Sequence, residues 1–348
     1  MPKRVPTIKD VAQKAGVSIA TVSNTINGTR FVSDELQKRV KAVIAELGYH
    51  PSAMGRGLRK GRTYSIGVLV PDPRNQFFQI VSEGIEEQAD AHGHSIWYCN
   101  TRDEPSREQE YISMMEGRGV DGIILAPSPG GRETIAPLVA RNVPLVLIVR
   151  QIERSHVDQV FADSIEGSYE ATRHLIELGH RRIGLLTGVR EIQTFKERLF
   201  GYQKALQDHS ILFDPELVVD AYSHVQEGAE VARYLLETTD VTALFASNYP
   251  MTLGALKGIR EMNLQCPEQI SLVGFDDLEC ASLFTPPLTL IDQKPYDIGH
   301  TAGRLLFEKI ESRNREGAEP QIIKISPQIV VRASTASPPS TTRRLQEQ

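Results

Sequence analysis

The chain has 348 residues, a net charge of −5 and 40% hydrophobic residues, the balance of a globular protein with room for more than one core. No apolar run approaches the roughly 18 residues that a membrane span needs, and the opening MPKRVPTIKD has no apolar signal core. Cys99, Cys266 and Cys280 form neither a disulfide framework nor a CxxC metal pair, so a cytoplasmic location is expected. Charge is unevenly spread. Residues 1–62 carry twelve Lys/Arg against four acids, whereas the remainder carries 27 against 40. A basic head on an acidic body is the footprint of a polyanion-binding domain joined to a part that does not bind polyanions.

Residues 7–48 predict three short helices. Ile8, Val11, Ala12 and Ala15 follow helical spacing behind Thr7 as N-cap, with Asp10 in the first turn. Gly16 ends that helix, and Ser18 caps a second that runs to about Asn27. The third carries Val40, Val43, Ile44 and Leu47 on one face and stops at Gly48. Residues 50–63, HPSAMGRGLRKGRT, form a basic connector. It lacks GxxxxGK[ST] spacing and precedes a strand, so it is not a phosphate-binding loop. Short apolar runs then recur at 64–70, 95–100, 122–126, 144–149, 182–187, 243–247 and 271–276, separated by helical segments such as 77–92, 105–118, 166–179, 195–209, 226–237 and 251–263. This alternation predicts parallel sheets with helices on both faces, and the length suits two such sheets. The tail from Ala333 is polar and rich in Pro, Ser and Thr, and is expected to be disordered.

The string TIKDVAQKAGVSIATVSNTING reads as a helix-turn-helix whose second helix enters the major groove of DNA. Val22 and Ile26 should pack inward, leaving Ile19, Ala20, Ser23, Asn24 and Asn27 outward. An apolar Ile19–Ala20 pair suits thymine methyls, and Asn24 suits adenine N6 and N7. Thr7, Ser18, Thr21 and Ser23 carry hydroxyls near helix N-termini, suited to phosphate oxygens and equally to plain capping.

The chain resembles the lactose-repressor (LacI/GalR) family of bacterial transcription regulators. Besides the string above, LGYHPSAMGRGL, HLIELGHRRIGLLTG, ISLVGFDD and FTPPLTLIDQ stand in family order and spacing. The resemblance implies a helix-turn-helix domain (1–49), a hinge helix or linker (50–63), a two-lobed, periplasmic-binding-protein-like core (64–335) and a disordered tail (336–348). It implies a homodimer, or a tetramer, on a pseudo-palindromic operator, with a small polar effector between the lobes. Leu58 takes the place of the leucine that wedges into the minor groove, flanked by Arg56, Arg59 and Lys60. Gly55 and Gly57 depart from that pattern at about 1 kcal/mol of helix propensity each, so the connector is expected to be disordered without DNA.

In an open α/β lobe, ligands sit at the carboxyl ends of the strands. PDPRNQFF resembles the family's first ligand loop, with Asn75 as a polar contact and Phe77 and Phe78 as aromatic walls. Both rings also stand at a helix start, where core packing is the alternative. Arg198, before Leu-x-Gly-aromatic, matches the arginine that clamps the effector, and its fork holds two hydroxyls or a carboxylate. Asn248 and Asp276 match further ligand positions, Asp276 being equally a helix cap, and Arg150 matches the cleft mouth. Val149 and Tyr249 stand where the family usually has acids, so the ligand does not carry over. The effector expected is a sugar or sugar derivative. A protein co-regulator is the alternative, and a solute receptor a weaker one. There is no HExxH, no GxSxG and no Cys with a neighbouring His, and the adjacent Asp276 and Asp277 point apart on a strand. An enzyme, a metal and a cofactor are therefore not expected.

Overall fold

The structure, a computed structural model, describes residues 6–28, 30–49, 62–221, 224–312 and 319–339. It divides into two compact units, Met1–Tyr64 and Ser65–Gln348. The connector residues 50–61, with Leu58, lie outside the described residues.

In the first unit, α1 (Ile8–Ala15), α2 (Ile19–Asn27) and α3 (Asp34–Leu47) lie where the apolar periodicity puts them. Val11, Ala12, Ala15, Val22, Val40 and Val43 form a small buried core. The helices end at Gly16, Gly28 and Gly48, each with φ near +60° (62°, 65° and 59°), a region that costs an L side chain about 1–2 kcal/mol.

The second unit is built as two lobes. The first holds β1 (Ser65–Val70), α4 (Gln76–Ala91), β2 (Ser95–Asn100), α5 (Pro105–Arg118), β3 (Gly122–Leu125), α6 (Arg132–Ala140), β4 (Leu145–Ile148) and β5 (Asp158–Ala162). The second holds α7 (Ser164–Glu177), β6 (Ile183–Thr187), α8 (Gln193–Asp208), β7 (Val218–Asp220), α9 (Val225–Thr238), β8 (Ala243–Ala246), α10 (Tyr249–Glu261), β9 (Ser271–Phe275) and β10 (Thr289–Asp292). Then α11 (Pro295–Glu311) and β11 (Ile322–Ile325) return to the first lobe, and β12 (Gln328–Val330) ends in the second. The sheets run β11-β5-β4-β3-β1-β2 and β12-β10-β9-β8-β6-β7. Every pairing is parallel except β10 with β12.

Strands β1, β3, β4, β6, β8 and β9 are buried throughout, because helices cover both faces of each sheet and the strands read as continuous apolar runs. The chain crosses between lobes three times, at Asp163, at Gln293–Lys294 and at Ser326–Pro327. Asp163 ties two of these together: its N–H donates to the Ile325 carbonyl (3.0 Å) and its carboxylate pairs with Lys324 (2.5 Å).

Two expectations need correction. The tail does not begin to loosen at Ala333. Ser334 is fully buried; its hydroxyl donates to the Leu272 carbonyl (2.6 Å) and accepts the Thr289 N–H (2.8 Å). The Ala336 N–H donates to Ser271 Oγ (3.0 Å) and its carbonyl accepts from His180 (2.9 Å). Backbone pairing with the second sheet outweighs the polar composition of residues 333–336. Ser23, expected outward, is 8% exposed, because the buried stripe of α2 spans Val22 and Ser23 together.

Candidate functional site

On the first unit, Ser18 Oγ accepts the Thr21 N–H (3.0 Å) and lies 2.9 Å from Thr21 Oγ1. Its cap therefore fixes the start of α2, where Ile19 (39% exposed) and Ala20 face solvent. Asn24 lies half-buried one turn on. The Thr7 hydroxyl and N–H both donate to the Asp10 carboxylate (2.7 Å each), which engages the Thr7 proton within its own helix start. Lys9, Arg30, Lys38, Arg39 and Lys41 are exposed around this core. Phe31, which the sequence reading passed over, is 95% exposed. An apolar pair at a helix start, ringed by cations and hydroxyls, can lie in a major groove with phosphates held on either side.

The second unit gathers polar side chains at the carboxyl ends of its strands. Arg198, Asn248 and Asp276 are 5%, 6% and 5% exposed, so the second lobe does bring these three sequence candidates into one buried region. Asn248 caps α10, its Oδ1 accepting the Met251 N–H (2.9 Å). Asp276, at φ 71° just past β9, accepts the Tyr249 N–H on Oδ2 (3.2 Å) and the Gln293 amide on Oδ1. Arg198 lies on α8, its guanidinium 4.0 Å from the centre of the Phe275 ring. It donates to the Ser247 carbonyl and to Gln293 Oε1 (3.1 Å).

Gln293 thus links the arginine to the aspartate from a crossover between the lobes. Burial raises the Asp276 pKa, opposed by the charge of Arg198, and burial lowers that of Arg198 to about 10. A guanidinium with that value stays charged at neutral pH.

The first lobe contributes differently. Asn75 caps α4, accepting the Phe77 N–H (3.1 Å). Phe77 and Phe78 are buried in that lobe's apolar core, edge to face at 5.2 Å. Their burial agrees with core packing, and at 4% and 7% exposed the two rings are about as buried as Arg198 and Asp276. Arg150 forks onto Asp103 and donates to the Pro127 carbonyl (2.9 Å). It is aimed by a γ-turn: its N–H reaches the Ile148 carbonyl (2.6 Å) across Val149 at φ 67°, a strained conformation for a β-branched residue. The Tyr249 hydroxyl lies 3.0 Å from Cys280 Sγ, and that sulfur lies 3.9 Å from Gln76 Oε1 of the first lobe.

Thr101 just past β2, Ser128 in the loop after β3 and Thr187 at the end of β6 were missed. Among the described residues, buried atoms with no hydrogen-bond partner include their three hydroxyls and the Nε atoms of Arg150 and Arg198. Each such orphan costs about 1–3 kcal/mol. The hydroxyls of Thr101, Ser128 and Thr187 stand at or after the carboxyl ends of β2, β3 and β6, the side of an open α/β lobe where ligands sit. Reading one position past every apolar run finds Thr101, whereas Ser128 stands two positions past its run and Thr187 closes its own. Gln293 and Asp103 carried no comparable signal.

Residues 7–52 match the bacterial regulatory proteins of the lacI family, and residues 172–335 match a periplasmic binding protein-like domain. The chain is 36% identical over 330 residues to the HTH-type transcriptional repressor PurR of Aliivibrio salmonicida (strain LFI1238), covering 94% of this chain and 98% of that one. It superposes on the lac repressor dimer bound to operator and the anti-inducer ONPF with a TM-score of 0.84, at 27% identity over 96% of this chain and 100% of that chain. It is also similar to the transcriptional regulator CelR in its cellobiose complex, with a TM-score of 0.71 and 30% identity over 94% and 99% of the two chains. These relatives are transcription regulators, not enzymes, and no helix among the described residues is long and apolar enough to cross a membrane. The chain belongs to the lacI family of bacterial regulatory proteins and is a DNA-binding transcriptional repressor.

Proposed function

We propose that operator affinity is set by a small polar effector, a sugar or sugar derivative, bound between the two lobes of the core. The reading also takes the protein to act in the cytoplasm as a homodimer on a pseudo-palindromic operator. The observation that carries it is the buried set of Arg198, Asn248, Asp276 and Gln293, with partnerless donors around it, at the carboxyl ends of the strands. Such a set suits a ligand with several hydroxyls, since a carboxylate accepts two and a guanidinium fork donates to two. The cellobiose complex of the relative CelR supports the sugar class.

A ligand spanning the lobes acts through its difference in affinity for their open and closed arrangements. Closure alters the spacing of the two first lobes of a dimer, and with it the seating of both connectors on DNA. By reciprocity, an effector that weakens operator binding a hundredfold binds the operator complex a hundredfold less well, about 2.7 kcal/mol of coupling.

A thermal-shift screen tests the reading, with free and phosphorylated sugars, sugar acids, nucleosides and nucleobases as the panel. A ligand at about 100 times its Kd stabilises by about 2.7 kcal/mol. The expected result is a stabilising sugar or derivative whose effect, together with the response of operator binding, is lost in Arg198→Ala. A hit that still acts on that variant at the same concentration overturns the cleft assignment. A panel with no hit favours a protein co-regulator.

A further inference from the structure

Arg150 follows β4, yet its guanidinium forks onto Asp103 in the turn past β2 and donates to the Pro127 carbonyl past β3 (2.9 Å). In the sheet order β3 and β1 stand between β4 and β2, a span of roughly 14 Å at about 4.8 Å per strand. One side chain thus ties together three of the loops at the carboxyl edge of the first lobe. Two of them, Pro127–Arg132 and Arg150–Ile152, wall a cavity of about 200 Å³ whose far side is Glu191, Ile192 and Gln193 of the second lobe.

Both ends of this tie are strained. Val149, β-branched, holds φ 67° in its γ-turn, and Arg102 and Asp103 are consecutive left-handed residues at φ 55° and 58°. Such backbone persists only where its surroundings over-determine it, and it gathers at clamps and switches. The other side-chain anchors of these loops stop short of the strained residues. Gln159 bonds Ile152 and Ser155, Arg132 donates to the Glu153 carbonyl, and Glu108 accepts the Ser128 N–H (2.6 Å). What joins one strained turn to the other is the Arg150–Asp103 pair. Its side chains are 11% and 29% exposed, so water screens it less than a surface pair. Arg102 and Glu104, the charges flanking Asp103, are exposed.

We propose that the Arg150–Asp103 pair is a spring-loaded strap. While it holds, the rim of the first lobe keeps one strained arrangement; when it parts, Val149 and the 102–103 turn relax together and the rim opens. Asp103 is then a positioning residue that acts on the cavity wall through Arg150. The strap is a property of the first lobe by itself, and its use as a gate for ligand entry rests on the effector reading above.

Hydrogen–deuterium exchange of the full chain, read by mass spectrometry, tests this. Asp103→Asn is the main variant, because asparagine keeps a left-handed turn and loses the charge. Exchange at 149–151, in a loop that the substitution does not touch, should quicken about tenfold or more, with the second lobe unchanged. Arg150→Gln should do the same at 101–104, and Arg150→Lys, which keeps the charge without the fork, should give an intermediate rise. In a Val149→Gly background, where glycine takes a positive φ freely, Asp103→Asn should quicken exchange at 149–151 by less than about threefold. Exchange at 149–151 that stays at the wild-type rate in Asp103→Asn overturns the strap. An equal rise in the Val149→Gly background overturns the spring. A sugar that stabilises wild type but not Arg198→Ala, beside an Asp103→Asn chain exchanging like wild type, removes the strap and leaves the cleft. The expected exchange pattern with no stabilising ligand supports the strap and removes the effector reading.

Discussion

Gln293 offers the sharpest test of how the cleft is held. It is 3% exposed and makes two hydrogen bonds to charged partners, accepting from Arg198 at 3.1 Å and donating to Asp276. Gln293→Ala removes both and leaves a buried guanidinium and a buried carboxylate each short of one partner. A hydrogen bond to a charged group is worth about 1.5–3 kcal/mol, so the two sum to about 3–6 kcal/mol. Water entering the vacated space recovers part of this, and the net loss expected is about 2–4 kcal/mol.

Urea unfolding followed at 222 nm measures the loss directly. Gln293→Glu supplies a control of different sign structure. Its introduced carboxylate still accepts from Arg198 but faces Asp276, whose pKa burial already raises. A carboxylate pKa raised in the folded state means that the unfolded chain holds fewer protons, so stability falls as pH rises through the carboxylate range and above it. Gln293→Glu should therefore be closer to wild type at pH 5 than at pH 8, while the deficit of Gln293→Ala changes much less. A deficit below about 1 kcal/mol for Gln293→Ala, with an unchanged ligand response, refutes the bridge.

Three other outcomes are expected. His180 is buried with Nε2–H donating to the Ala336 carbonyl and Nδ1 accepting from the Thr242 hydroxyl (2.8 Å), and burial holds its pKa below 6.5. A depressed imidazole pKa means that the unfolded chain takes up protons first. Its stability is full above about pH 6.5 and is lost as pH falls toward the folded-state value. His180→Gln should flatten that slope in urea unfolding at several pH values, and equal slopes in both proteins refute the assignment. Asn24→Ala should relax selectivity at one base pair per half-site by about 1–3 kcal/mol, read by competition among operator variants; unchanged selectivity removes Asn24 from base reading. Leu58→Ala should weaken operator binding while sparing non-specific DNA, and an equal loss on both refutes the wedge.

The long buried elements were legible because their signal is local. A strand covered on both faces has to be apolar throughout, so β1, β3, β4, β6, β8 and β9 stand out as runs. β5 (DQVFA) did not, because two polar residues are buried in it by tertiary partners. Gln159 exchanges hydrogen bonds with the Ile152 backbone (2.8 and 3.1 Å), and Asp158 pairs with Lys309 (3.0 Å) and accepts the Gln321 N–H (2.7 Å). Helix α6 was hidden by Pro137 inside it. Strands β11 and β12 sit at sheet edges with partly exposed residues. The site followed the same rule. Arg198, Asn248 and Asp276 were legible from their motifs, whereas Gln293 gains its importance only when β10 is known to end beside them.

Why the site should lie at the crossovers follows from how stiffly each lobe is built. Helices α4 and α11 approach so closely that a Cβ on Gly299 would lie 1.8 Å from the Val81 carbonyl oxygen. Helices α7 and α8 are locked alike, with 2.3 Å between a Cβ on Gly201 and the Ile165 carbonyl oxygen. Contacts of that kind leave no room for sliding within a lobe, so relative motion is confined to the three short connections. Arg198 and Asp276 both bond Gln293 in one of those connections, and Arg150 and Ser128 stand on the opposite lobe at the shared cavity. A small molecule placed there needs only to favour one setting of the connections to move two rigid bodies against each other. On the effector reading proposed above, that differential binding, rather than any deformation of the sheets, carries the response to the ligand.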